Sequence, residues 1–226
     1  MLRRILLTGL IAGTAAGLFA AGLQHLRLIP LIAAAEVYEV AGAHAEHQHG
    51  QPGAAAGEWE PAPGLERTGY TVLADVLAGI GFALLLAGGV ALARLRGYPI
   101  DARRGLIWGA AGFAVFALAP AIGLPPELPG MQAAALVARQ EWWLMTAAAT
   151  ALGLGLLVFV RQPVLRVLGA AILVLPHLVG APLAPHGASA LPAEVAAEFA
   201  TASLATAALF WLLLGGISGW LYRRFE

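Results

Sequence analysis

Six apolar stretches of 18 to 23 residues recur along the chain, and they constrain its fold more than any other feature. A membrane helix needs about 20 predominantly apolar residues. The fifth stretch contains Pro176 and Pro182, which membrane helices tolerate where neighbouring groups satisfy the freed carbonyls. The stretches are 5–23, 71–93, 106–123, 142–160, 167–184 and 199–221. We predict an all-α fold, a polytopic transmembrane helical bundle with six spans, in which 1–226 form a single integral membrane domain.

Composition excludes several classes of protein. With 60% hydrophobic and 12% charged residues, the chain has too little polar surface to cover a water-soluble globule. The absence of Cys excludes disulfides, thiolate metal sites and iron–sulfur clusters. Lys is also absent, which excludes a P-loop nucleotide site and a Schiff-base lysine. The formal net charge is zero. We therefore predict no enzyme, no nucleotide site and no nucleic-acid partner, and the lipid bilayer as the surroundings.

The arginines predict the orientation. Short cytoplasmic loops retain positive charge, so both termini are expected in the cytoplasm. The first span is interpreted as an uncleaved anchor, with a cleaved signal peptide as the alternative. Most carboxylates fall on the opposite, outer side, where they would concentrate cations. Ten of the 13 arginines fall on one side of six spans: Arg3, Arg4, Arg94, Arg96, Arg103, Arg104, Arg161, Arg166, Arg223 and Arg224.

Small residues at four-residue spacing predict close helix contacts. Gly9, Gly13, Gly17 and Ala21 form a ladder along the first span. Such ladders allow the backbones of two membrane helices to approach closely. The pairs Gly105/Gly109 and Gly215/Gly219 repeat this spacing.

A histidine-containing segment predicts metal capture outside the membrane. Residues 41–66 form a low-complexity outer loop that contains His44, Glu46, His47 and His49. Imidazole is a good ligand for divalent Co, Ni, Cu and Zn, and a flexible loop can bring three imidazoles and one carboxylate around one ion. The alternative is a solvated linker whose histidines bind nothing.

Polar residues within or beside the spans give further candidate metal ligands. His177 lies eleven residues after Arg166, or about 16 Å along a helix, near the middle of a ~30 Å hydrocarbon core. His25, Asp75 and His186 are expected at the outer boundary, where they would form a vestibule above His177. The alternatives are snorkelling of His25 and Asp75 to the interface and a helix–helix hydrogen bond by His177.

Glu127 lies in a rigid proline-rich turn that follows the third span. It is predicted either to bind a cation or to form an ion pair with Arg139, and we favour the ion pair.

Four stretches carry a resemblance to a known family. They are MLRRILL at 1–7, LIAAAEVY at 31–38, LPPELPGM at 124–131 with ARQEWW at 138–143, and LPHLVGAP at 175–182. In this order the chain resembles the CbtA-type subunit of a predicted bacterial cobalt transporter. The resemblance implies a multi-pass inner-membrane protein associated with cobalamin biosynthesis. It also implies a small CbtB-like partner that has one span and a His-rich segment. For this chain the resemblance implies five spans, whereas the distribution of the arginines favours six.

Three functions remain open at this point. The first is a subunit of a divalent metal uptake transporter, most plausibly for cobalt, with Ni or Zn as further possibilities. The second is a haem-binding membrane redox subunit, which needs two imidazoles at matching depth on facing helices. The third is a scaffold that captures metal outside the membrane and transports nothing.

Overall fold

The structure is a computed structural model that describes residues 1–46, 61–62, 64–184 and 191–225, with the backbone alone for 39–46. All regular elements in these ranges are helices, which confirms the predicted all-α polytopic bundle. Two wide π-helical turns, Gln24–Leu28 and Ala114–Leu118, join α1 to α2 and α4 to α5. The helices are α1 (Leu2–Leu23), α2 (Ile29–Glu46), α3 (Leu65–Leu95), α4 (Ala102–Phe113), α5 (Ala119–Gly123), α6 (Leu136–Phe159), α7 (Pro163–Val179) and α8 (Ala193–Arg224).

A proline follows each π turn at the same distance. Pro30 and Pro120 both lie two residues after the end of their turn. Proline has no N–H and its ring crowds the carbonyl four residues earlier, so a regular α-helix cannot pass through it undisturbed. The wide turn accommodates the ring without breaking the helix. The first predicted span therefore continues beyond residue 23, in an apolar helical stretch that runs over Leu2–Tyr38.

The glycine ladder of α1 packs against α3, as the sequence predicts. A Cβ atom added at Gly13 would collide with the backbone of Ile80, and one added at Gly17 would collide with the backbone of Asp75 and Val76. The two helices run antiparallel, because earlier residues of α1 meet later residues of α3. This backbone contact fixes the register between α1 and α3.

The other two glycine pairs join α4 to α8. Cβ atoms added at Gly105 or Gly109 would strike the backbone of α8 near Gly215, and the reverse holds for Gly215. These helices are also antiparallel. In the part of the chain that the structure describes, the predicted small-residue contacts are thus contacts within one chain.

All ten arginines grouped by the topology prediction belong to helix ends or connections at one end of the bundle. At this end Arg4 Nε donates to the Phe225 carbonyl at 3.1 Å, and the ring centroids of Tyr98 and Phe159 are 5.1 Å apart. The first and last residues of the helical bundle therefore lie together. We call this the arginine-rich end; its position in the cytoplasm stays a prediction.

Five of the described helical stretches are long and apolar enough to cross a membrane: Leu2–Tyr38, Leu65–Leu95, Ala102–Gly123, Leu136–Phe159 and Ala193–Arg224. The predicted span 167–184 differs from the structure, because its helix is α7, which has 17 residues and ends at Val179. Gly180, with φ 85°, ends it in a conformation that favours glycine. Since α6 ends at the arginine-rich end and α8 starts at the opposite end, α7 provides the return pass.

Candidate metal centre

A polar contact joins α3 to the π turn that follows α1. Gly17 lets α1 approach the backbone of Asp75 closely. The side chain of Gln24, one to two turns after Gly17, therefore reaches Asp75. Gln24 Nε2 donates to Asp75 Oδ1 at 2.8 Å. The second oxygen, Asp75 Oδ2, is buried and has no hydrogen-bond partner among the residues that the structure describes.

An unpartnered buried carboxylate oxygen calls for a physical explanation. Leaving a buried polar group without a partner costs about 1–3 kcal/mol, and more when the group is charged. An ionisable residue inside a membrane bundle is by default a candidate for function. A cation that approaches Oδ2 would remove this cost, so Asp75 is suited to bind one.

A cavity of about 390 Å³ lies one helical turn from Asp75, on the side away from the arginine-rich end, and Asp75 is not among its lining residues that the structure describes. His25, which belongs to the π turn, contributes to its wall, together with Thr68 and Thr71 of α3. Both threonine hydroxyls donate to the carbonyl four residues earlier, at 3.0 and 2.9 Å. Their oxygens therefore keep lone pairs for a ligand in the cavity. Asp75 follows Thr71 by one helical turn, so we call this cavity and the carboxylate together the α1–α3 vestibule.

The π turn adds backbone oxygens to the same region. Pro30 provides no N–H for the carbonyls of His25 or Leu26, one turn earlier. Carbonyl oxygens without a helical donor are used as cation ligands in membrane transporters. The vestibule thus combines an imidazole and two hydroxyls at the cavity wall with a carboxylate one helical turn away. Beside its outer edge, Arg67 Nη2 forms an ion pair with Glu36 Oε1 at 2.8 Å.

The structure places His177 near the end of a helix. It is in the last turn of α7, and its ring is 6.1 Å from that of Trp142, edge to face. Trp142 precedes the end of α6 at Phe159 by 17 residues, or about 25 Å. The helix begins at Pro163, before the predicted start at 167, and ends at Val179, and the depth of His177 in a membrane stays a prediction. His177 therefore lies toward the end of the bundle opposite the arginines.

The other predicted metal ligands lie partly or wholly outside the residues that the structure describes. For His44 and Glu46 the structure gives only the backbone, at the end of α2. His47, His49 and His186 lie outside the described residues. The predicted loop 41–66 overlaps the end of α2 and the start of α3, so the low-complexity stretch between the helices is shorter than predicted.

Among the described residues, no group of three or more His, Asp or Glu side chains converges on one point. His25 lines the cavity of the vestibule, Asp75 is hydrogen-bonded to Gln24, and His177 belongs to the α6–α7 pair. Glu127 and Arg139 form the favoured ion pair, with Oε2 and Nη2 2.8 Å apart.

The sequence analysis did not identify two polar residues of the helix contacts, Gln24 and Trp142. Gln24 directly precedes His25 at the end of an apolar run, and this position was the available signal. The buried indole nitrogen of Trp142 has no acceptor among the described residues. Nothing in the sequence predicted this, because tryptophan is frequent at membrane interfaces.

Comparison with known proteins gives one match. The family model described as "Probable cobalt transporter subunit (CbtA)" matches residues 2–223, nearly the whole chain. No curated protein and no solved structure matches the chain. The match agrees with the apolar helices of a multi-pass membrane protein, and its description as a subunit implies that other components take part in transport. The chain therefore belongs to the CbtA family of probable cobalt transporter subunits.

Proposed function

We propose that the chain is the membrane subunit of a divalent metal uptake transporter whose cargo is Co²⁺, and that the cargo passes through the α1–α3 vestibule. One observation supports this assignment above all others. Asp75 presents a buried oxygen without a partner among the described residues, inside a contact between two membrane helices. A carboxylate in this position attracts a partly dehydrated cation.

The donor atoms of the vestibule fit a divalent ion that must be released again. Imidazole nitrogen and carboxylate, hydroxyl or carbonyl oxygen bind Co²⁺, Ni²⁺ and Zn²⁺ without the very tight binding of a closed thiolate site. Since Ni²⁺ binds such donors more tightly than Co²⁺, the family description, and not the donor set, favours cobalt.

The path begins at the end of the bundle opposite the arginines. In the proposed orientation this end faces the periplasm and both termini face the cytoplasm of a bacterial cell. The histidines at 44, 47 and 49, with Glu46, capture metal outside, and His186 and His177 contribute donors at the same end. The ion then passes from His25 to Asp75. Inward movement of a doubly charged ion down 100 mV provides about 4.6 kcal/mol, twice the value for one charge, so ATP is not required.

The family assignment extends the proposal to partners and to the cell. We propose that a small single-span CbtB-like protein with a His-rich segment supplies metal to this subunit. The transported cobalt would serve cobalamin biosynthesis, as the family resemblance implies. Both statements rest on the family and not on a contact within the chain.

The two alternatives receive less support. A haem held by two histidines needs facing imidazoles, whereas the described histidines, His25 and His177, belong to different helix pairs. A scaffold that only captures metal outside the membrane does not require a buried carboxylate between two membrane helices.

Proteoliposomes that contain the purified chain provide the test. With an inside-negative potential and no ATP, we expect Co²⁺ to accumulate in the lumen above the level in protein-free vesicles, and we expect Ni²⁺ and Zn²⁺ to compete. Metal that binds the vesicles but stays outside would support the scaffold. An absorption band near 400 nm in the purified protein would indicate haem. If uptake requires the single-span partner, co-reconstitution should restore it.

A further inference from the structure

A second cavity lies at the arginine-rich end, on the other side of the bundle from the vestibule. It has a volume of about 510 Å³ and runs between α3, α4 and α6. Its walls are almost wholly apolar, apart from Arg104. The lining positions of α4 and of the π turn that follows it run at helical spacing from Arg104 to Phe116, and those of α6 do so from Ala151 to Phe159. The cavity is therefore a long groove parallel to the helices, which we call the α4–α6 groove.

The two ends of this groove differ in chemistry. At its inner end lie the rings of Phe82, Phe116 and Trp211, with Phe116 stacked on Trp211 at 5.4 Å. At its mouth lie Arg104 and Tyr98. A molecule that fits both ends has an apolar body and an anionic head.

We propose that the α4–α6 groove binds an anionic phospholipid of the leaflet at the arginine-rich end, with one acyl chain in the groove and the phosphate at Arg104. Phe116 follows Arg104 by twelve residues, or about 18 Å along the helix. Half of a ~30 Å hydrocarbon core, about 15 Å, is the depth of one leaflet. The groove thus has the length of a single acyl chain.

The guanidinium of Arg104 has donors to offer a phosphate. Its Nη1 donates to Asp101 Oδ2 at 3.2 Å, in an ion pair whose side chains are 50% and 30% exposed. A guanidinium carries five N–H donors, and paired donors suit phosphate oxygens. Nine further arginines lie at the same end of the bundle, which favours an anionic headgroup over a zwitterionic one.

A transmembrane helix of a partner fits the groove less well. Such a helix is about 10–12 Å across and about 30 Å long, which is much larger than the groove. It would cover the groove without filling it, and it would not need a cation at the mouth.

Native mass spectrometry of the detergent-solubilised full chain tests the proposal. Phosphatidylglycerol and phosphatidylcholine with identical acyl chains are titrated separately. For the wild type we expect the first phosphatidylglycerol to bind about tenfold more tightly, because both lipids offer a phosphate to Arg104 but the choline ammonium cancels the net charge of phosphatidylcholine beside the arginines. Arg104→Gln should remove this preference. Arg103→Gln is the matched control, because Arg103 is its exposed neighbour and does not contribute to the groove, and it should retain the preference.

A second pair of variants tests the groove itself. A Cβ atom added at Gly155 meets no other atom within 4 Å, and Gly155 contributes to the groove wall. Gly155→Phe should therefore fill the groove and abolish tight binding of the first lipid. Gly81→Phe is the control on α3, since Gly81 also has open space around it and lies outside the groove.

Three results would overturn the proposal. One is equal affinity of the wild type for both lipids. Another is an equal loss of preference in the Arg103 and Arg104 variants, which would indicate nonspecific surface charge. The third is release of a co-purifying polypeptide, and not of lipid, by Gly155→Phe, which would assign the groove to a partner helix. If Gly155→Phe does not fold, the two arginine variants still decide. Lipid binding is read without metal, so this outcome is independent of the proposed transport.

Discussion

The α1–α3 and α4–α8 contacts use the same packing device and differ in what it positions. In both, glycines at four-residue spacing let antiparallel backbones touch. On α8, next to Gly219 of the α4–α8 contact, Ser218 is a buried polar residue that is 1% exposed. At the α1–α3 contact, the same close approach holds Gln24 against a carboxylate beside a cavity and a π turn. Close glycine packing is therefore a means of fixing register, and function depends on the side chains that the register brings together.

The largest expected effect is on folding, and it should be equal in the two regions. Gly13→Leu and Gly109→Leu each force a side chain into the backbone of the facing helix. We expect each to destabilise the bundle by at least about 3 kcal/mol and to lower the yield of folded protein in detergent. Gly81→Leu, which enters open space, should leave the yield unchanged. A normal melting temperature for Gly13→Leu would contradict the claim that close glycine packing holds α1 against α3.

The second effect should separate the regions. Gln24→Leu removes the donor to Asp75 Oδ1, and a hydrogen bond to a charged group contributes about 1.5–3 kcal/mol. We expect metal uptake into proteoliposomes to fall about tenfold or more while the protein remains folded. Ser218→Ala, the matched change at the α4–α8 contact, should leave uptake unchanged. Equal uptake in both variants would mean that the Gln24–Asp75 contact is structural.

His177 should matter less than Asp75, because it lies in the last turn of α7. Gln at this position retains hydrogen bonding and loses the imidazole. We therefore expect His177→Gln to fold normally and to reduce uptake by a few-fold, mainly at low metal concentration. Initial rates over a range of Co²⁺ concentrations provide the measurement. Complete loss of uptake at every Co²⁺ concentration would show that His177 is an essential part of the transport pathway.

The smallest effect concerns pH and the start of α4. Asp101 Oδ1 accepts from the Arg104 backbone N–H at 2.8 Å, and this bond lowers the pKa of Asp101 below its usual 3.8. A lowered pKa in the folded state gives stability that is present above the unfolded pKa and is lost as pH falls through the folded pKa. Asp101→Asn keeps a capping side chain without the charge.

We therefore expect Asp101→Asn to lower the melting temperature slightly at pH 7, and we expect the difference to shrink as pH falls below 3.8 and to vanish below the lowered pKa of Asp101. Thermal unfolding in detergent at the two pH values measures it. A difference that persists in acid would show that the charge of Asp101 is not its cause.

The bundle, its glycine contacts and its grouped arginines were predictable from the sequence, because each depends on residues of one helix. Helix spacing alone reveals the ladder of Gly9, Gly13 and Gly17. The site was predictable only in part. His25 and Asp75 are visible as polar residues at span boundaries, but their association with Gln24 depends on the register between two helices. The bounds of the fifth predicted span were inexact for a related reason, since prolines and Gly180 set the ends of α7 and hydropathy does not.

The proposed metal pathway through the vestibule requires the negative charge of Asp75, and one measurement tests this requirement. Asp75→Asn keeps the size of the side chain and an oxygen that can accept from Gln24, and it removes the negative charge. In proteoliposomes with equal amounts of folded protein, we expect this variant to lose Co²⁺ uptake to the level of protein-free vesicles. Asp101→Asn, which removes a carboxylate at the other end of the bundle, should transport like the wild type. Uptake by Asp75→Asn within twofold of the wild type would contradict the proposed pathway.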